Sequence, residues 1–136
     1  MDYPMNFSRL ATYDAGLLGI AVEVTLSLSQ DSVTFPAKLD TGATNCVFAR
    51  RYGEDLGLDV KSGERVHIST ATGSFIAYRH DVTLTVLDFA FDVRVCFAAD
   101  ETFQRSVLGR RGFLDRVNLG LVDYEGRLYL SRYGHE

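Results

Sequence analysis

Leu39-Asp40-Thr41-Gly42-Ala43-Thr44 is the stretch on which the reading of this chain turns. It is entered from the apolar run Val33 to Leu39, so a carboxylate stands at the end of a strand. Gly42 removes a Cβ just beyond it, which lets backbone approach backbone, or a substrate, closely. Thr41 and Thr44 bring hydroxyls, and Thr44 lies near enough in sequence to hydrogen-bond the Asp40 carboxylate. A turn closing a buried strand also uses Asp and Gly, for conformational reasons alone. At average residue usage the bare Asp-Thr-Gly string occurs in roughly one chain of this length per hundred. The loop therefore needs corroboration from its surroundings.

Upstream, Ile20, Val22, Val24, Leu26 and Leu28 alternate with Ala21, Glu23, Thr25, Ser27 and Ser29, the pattern of a half-buried strand. Gln30-Asp31-Ser32 reads as a polar turn, and Val33 to Leu39 returns antiparallel. Pro36 lacks a ladder donor, which places it at an edge or a bulge. Downstream, Asn45 to Phe48 is a short apolar strand, and Ala49 to Leu56 is a brief helix stopped by Gly57. After a turn at Lys61-Ser62-Gly63-Glu64, Val66 to Ser69 is extended. Thr70-Ala71-Thr72-Gly73-Ser74 makes a small polar tip, followed by a strand from Phe75 to Leu87. Phe89, Phe91, Val93, Val95 and Phe97 alternate with Ala90, Asp92, Arg94, Cys96 and Ala98, another clear strand. Beyond the acidic loop Ala99-Asp100-Glu101, the segment Ser106 to Asp115 reads as a strand end running into one short helix. Val117 to Val122 and Arg127 to Leu130 form a hairpin around Tyr124-Glu125-Gly126. The expectation is an all-β domain of many short strands with one or two short helices.

The 136 residues suffice for one domain with a real core, expected to span 1–136 with its core at about 16–132. Hydrophobic content of 46% beside 24% charged residues is that of an ordinary globular chain. A net charge of −4 gives no electrostatic reason to expect nucleic acid or an anionic membrane as partner. Met1 to Phe7 has neither a basic start nor an apolar core, so no secretory signal is expected. No apolar run approaches the ~20 residues that span a bilayer. Cys46 and Cys96 match no metal-ligand spacing and read as reduced, buried thiols, which points to a cytoplasmic protein. His67, His80 and His135 show no ligand spacing either, so no metal site and no cofactor is expected.

Three landmarks together give the chain a likeness. Lys38-Leu39-Asp40-Thr41-Gly42-Ala43-Thr44 comes first, the tip around Thr72-Gly73-Ser74 second, and Val107-Leu108-Gly109 opening Arg110-Arg111-Gly112-Phe113-Leu114 third. In this order the chain resembles the retropepsin-like (retroviral-type) aspartic proteases, in particular their small bacterial relatives. The resemblance implies a closed, mostly antiparallel β-barrel with one half-site per subunit. It implies Asp40 as the catalytic aspartate, Thr41 as the residue bracing two loops across a subunit boundary, and Gly42 as the receiver of substrate backbone. Ala43 and Thr44 fall on the substrate side of that loop. Gly109 would let the second apolar strand pack under it, and Arg110 would be a structural arginine near the dimer seam. Many viral members carry an acid two places after the glycine, where this chain has Thr44, so Arg110 must find another partner.

Peptide hydrolysis by this route uses two carboxyls sharing one proton. One accepts a proton from the attacking water while the other donates to the carbonyl oxygen. The chain has one Asp-Thr-Gly; Asp88, Asp92, Asp115 and Asp123 all lack the following hydroxyl-glycine pair. One chain thus supplies half a site, and a twofold homodimer would complete it. The paired acids would titrate in two coupled steps. Because Ala43 offers a methyl where a hydroxyl could stabilise the ionised form, activity is expected at mildly acidic to near-neutral pH. A peptide or protein substrate would lie extended between the dimer and two flaps. Val47, Ile76 and Val107 are candidate pocket walls, with ordinary core as the competing reading for each. Phe75 shapes the flap or simply packs on its neighbours, and Gly73 gives mobility or simply a turn. The competing function, from another class, is a non-catalytic dimerisation or peptide-binding module on the same fold.

Overall fold

A computed structural model describes residues 1–134; His135 lies outside the described residues. The strands are β1 (Arg9–Thr12), β2 (Ala21–Leu28), β3 (Asp31–Leu39), β4 (Val47–Phe48), β5 (Glu64–Thr70), β6 (Gly73–Val86), β7 (Phe89–Ala98), β8 (Val107–Leu108), β9 (Val117–Val122) and β10 (Arg127–Arg132). A six-residue helix, α1 (Arg50–Asp55), and three 3-10 turns complete the described elements. The chain is all-β.

The strands form two sheets. The larger has seven strands in the order β2-β3-β8-β4-β7-β6-β5, and an additional β2–β6 pairing closes six of them into a ring that leaves β5 outside. Every pairing in that ring is antiparallel except β3–β8 and β4–β7. The smaller sheet has the order β1-β10-β9. Alternation in β2 turns Val22, Val24 and Leu26 inward, and alternation in β7 does the same for Phe89 to Phe97. Leu128, Leu130 and Val117 of the smaller sheet join them around the fully buried Phe48, Phe97 and Phe113, so both sheets close over one core.

The structure departs from the sequence reading in four places. The β2–β3 turn is shorter than expected: Leu28 pairs with Asp31, leaving Ser29 and Gln30 as the loop, with Ser29 at φ +54°. Asp31 and Ser32 are polar because they face solvent, not because the chain turns there. The helix expected after Gly109 shrinks to the 3-10 turn Leu114–Arg116, because Gly112 at φ +101° breaks the helical path before it starts. β1 was not anticipated; Arg-Leu-Ala-Thr carries no alternation, and pairing with β10 makes it a strand. Finally, the β7 alternation fails at Cys96 and Ala98, which are buried like Val95 and Phe97, because a second apolar cluster covers that face. Pro36 pairs with Glu23 on one side, while β8 meets β3 only at Lys38 and Leu39, so its donor-less nitrogen meets no ladder on the other. Among the described residues no helix is long and apolar enough to cross a membrane.

Candidate active site

β3 ends against β8, which runs parallel to it with Lys38 opposite Val107 and Leu39 opposite Leu108. The ladder then continues past the strand ends. Lys38 N–H donates to Ser106 O at 2.9 Å, Leu39 N–H to Ile20 O at 2.8 Å, and Asp40 N–H to Leu108 O at 3.0 Å. After the turn, Arg110 N–H donates to Ala43 O and Arg111 N–H to Thr44 O, each at 2.9 Å, and Asn45 bridges Arg111. Backbone thus laces the loop 40–45 to the segment 108–111 on both sides of Asp40.

Gly109 is what permits the approach. A Cβ there would collide with the Asn45 carbonyl and lie 2.8 Å from Ala43 O. No rotamer relieves a clash with backbone, so only glycine fits. Beneath the junction the buried Cys46 Sγ accepts from Gly109 N–H at 3.4 Å. Burial pushes this thiol up to about 12, partly opposed by its hydrogen bond to the Gly109 backbone. Cys46 is therefore a neutral packing group near the loop, buried as the sequence reading expected.

Within the loop, Asp40 Oδ1 accepts from Gly42 N–H at 2.9 Å. The expected bond from Thr44 is not formed. The turn brings the amide two residues on to the carboxylate, while the Thr44 backbone is already engaged with Arg111. Asp40, Thr41 and Gly42 are all exposed. The chain therefore presents a firmly held acid on its surface, with no side chain among the described residues hydrogen-bonded or ion-paired to it. Arg110 is exposed too. Its backbone binds Ala43, and its guanidinium has no ion-pair partner among the described residues.

The β5–β6 hairpin pairs Thr70 with Gly73 at its tip, where Thr70 Oγ1 donates to Gly73 O at 3.0 Å. One face of the hairpin, Val66, Ile68 and Phe75, packs with Val107 and Phe103 over a buried floor of Val47, Ala77 and Cys96. The candidate pocket residues take their places around this cluster. Val47 is only 3% exposed and forms part of the floor. Ile76, paired with His67, points to the opposite face from Phe75. Phe75 lies against Phe103, ring centroids 4.7 Å apart. Val107 does line the cluster, one position before the residue whose carbonyl receives Asp40 N–H. Val66, Ile68 and Phe103 were missed. The alternation of Val66 and Ile68 was legible, whereas Phe103 sits alone in a polar loop and gave no signal. A separate cavity of about 520 Å³, lined by Ser27, Asp81, Thr83, Asp92, Arg94 and Arg116 among others, shares no residue with the Asp40 loop.

With this geometry in place, the comparisons with known proteins can be stated. The sequence pattern of the aspartyl protease family matches residues 22–111, well over half of the chain, and the chain belongs to that family. Its fold is retropepsin-like. The EIAV protease, solved in complex with the inhibitor HBY-793, superposes with a TM-score of 0.52 at 19% sequence identity, covering 66% of this chain and 80% of that one. That likeness is one of fold. No curated protein sequence matches the chain.

Proposed function

We propose that residues 1–136 form a single protease domain, an aspartic endopeptidase that cleaves extended polypeptide segments as a homodimer. Asp40 and its symmetry mate would share the catalytic proton, one activating water and the other protonating the carbonyl oxygen. Thr41 would brace the paired loops, and Gly42 would receive substrate backbone, helped by Ala43 and Thr44. No cofactor enters the chemistry. The observation that carries this reading is the exposed Asp40 on a loop laced on both flanks to 108–111. A carboxylate held so firmly, yet left without a side-chain partner among the described residues, suits a half-site awaiting its complement. The buried, reduced Cys46 and Cys96 suit a cytoplasmic setting.

Cleavage of unfolded casein or a peptide library, with and without pepstatin, tests it. Asp40→Asn should lose ~10²–10⁴-fold or more, the scale of a general acid–base contribution. Equal activity in both proteins ends the enzyme reading and leaves the peptide-binding module. The pH–rate profile should peak at mildly acidic to near-neutral pH; a maximum near pH 2 would contradict the assignment made to Ala43.

A further inference from the structure

The chain as a whole is acidic, with 18 Asp and Glu against 14 Lys and Arg. Around the Asp40 loop the balance reverses. Lys38, Arg105, Arg110 and Arg111 stand in or beside the two segments that are laced together there, and all four are exposed. None of them has an ion-pair partner among the described residues. The acids near them in sequence are already engaged. Glu101 pairs with Arg50, Asp100 accepts from the Thr102 hydroxyl, and Asp115 accepts from Gly112 N–H and pairs with Arg116. Like charges grouped in this way repel one another and attract anions from outside.

We infer that Lys38 and Arg105 make this groove select extended polypeptide segments that carry acidic side chains beside the bond to be cut. This deepens the protease reading and rests on the groove it assigns. The alternation of β3 turns Phe35, Ala37 and Leu39 to the core and Lys38 to the other face, which the next outward position, Asp40, shares. Two residues along a strand span about 7 Å, so the Lys38 ammonium works within one side chain's reach of the acid. Register sets Val107 beside Lys38, and Val107 belongs to the apolar cluster under the β5–β6 hairpin. The Lys38 stem lies over Gly19, where a Cβ would meet its Cδ at 3.1 Å. Arg105 immediately precedes Ser106, whose carbonyl accepts from Lys38 N–H, and its neighbour Gln104 is held by Arg51 at 2.9 Å. Both cations therefore stand where a segment passing Asp40 must run, next to apolar surface that suits the stem of a Glu. Arg110 and Arg111 add the same sign on the other flank of the loop.

Matched peptides that differ only in Glu, Gln or Lys at the positions flanking the scissile bond test it, read as cleavage and as binding by fluorescence anisotropy. Wild type should cleave the Glu peptide with kcat/KM roughly 5–10-fold above the Gln peptide, the scale of one or two exposed charge pairs. The difference should sit in KM, and it should fade at about 1 M salt, where screening acts within ~3 Å. Lys38→Gln should remove most of the preference, and Lys38→Glu should turn it towards the Lys peptide. Arg105→Glu should act in the same direction. Lys61→Glu, which changes net charge equally at a site away from the loop, should leave the preference as it is. A merely structural Lys38 would lower all three peptides alike. Equal cleavage of the Glu and Gln peptides by wild type overturns the inference and leaves the protease standing. If no peptide is cut, the protease reading falls and binding decides. Tighter capture of the Glu peptide, lost in Lys38→Glu, upholds the acidic preference, whereas equal or absent binding overturns it as well.

Discussion

Two hairpin-borne segments of this protein are built on opposite terms. The loop 40–45 is bonded through its backbone on both flanks, to Leu108, Arg110 and Arg111, and has Gly109 pressed against it. The β5–β6 tip is closed by the Thr70 hydroxyl and the Thr70–Gly73 pairing, and a Cβ at Gly73 would meet no atom within 4 Å. Both contain threonine and glycine, so composition does not separate them. What differs is what surrounds the glycine. One segment is suited to holding an acid to a fraction of an ångström, the other to moving over whatever lies beneath it.

Gly109→Ala should break the comparison most severely. The new methyl meets the carbonyl oxygens of Asn45 and Ala43, neither of which can rotate away, so the loop must shift or the strand β8 must part from β3. Overpacking of this kind costs ~1–3 kcal/mol where side chains can adjust, and the rigid backbone here puts the substitution at the upper end or beyond. Activity should fall with it, because the displaced atoms are those that fix Asp40. A urea melt within about 0.5 kcal/mol of wild type, the scatter expected of an inconsequential surface change, would show that the lacing carries no stability.

The same contrast explains how far the sequence could be read. Asp40-Thr41-Gly42 and Val107-Leu108-Gly109 were legible because their chemistry is local: a strand, a turn and a residue without a Cβ. The alternation of β2 and β7 was legible because each has one apolar face turned to the core. Phe103 was not, since its burial depends on Phe75 arriving from the hairpin, a contact that no period announces. Val47 stayed open between pocket wall and core for a related reason: nothing in the sequence shows that β4 runs between β7 and β8 and carries it into the floor of the cluster. β1 was invisible because its partner β10 lies at the far end of the chain.

A smaller effect sharpens the comparison from the buried side. Cys46 lies under the lacing with its thiol pushed up from 9.0 to about 12, chiefly by burial, and Cys96 is raised by the same cause. A raised pKa favours the protonated fold, so this contribution is fully present below about pH 9 and is lost as pH climbs from there towards 12. Denaturation followed at rising alkaline pH should show stability falling above that point. Cys46→Ala should fall less steeply, though lower at neutral pH for the small cavity it leaves. An unchanged slope would mean that the thiol is not desolvated beneath the loop. Iodoacetamide should likewise fail to modify either cysteine in the folded protein at neutral pH.

The least effect is expected at the tip, and it is the one that decides whether the two glycines differ as argued. Gly73 has φ +150°, a value that L residues rarely adopt, and an alanine there must bear that strain, of order 1 kcal/mol. It meets no neighbour, however, and the tip can relax, because little beyond Thr70 and the first pairs of the hairpin depends on its conformation. Gly73→Ala should therefore cost about 1 kcal/mol or less in a urea melt, well under Gly109→Ala. It should leave the structure around Asp40 untouched, with any loss appearing as a change in substrate binding more than in turnover. If the two substitutions proved equally costly, the tip would be locked as tightly as the loop, and the division into a fixed acid and a compliant cover would have to be abandoned.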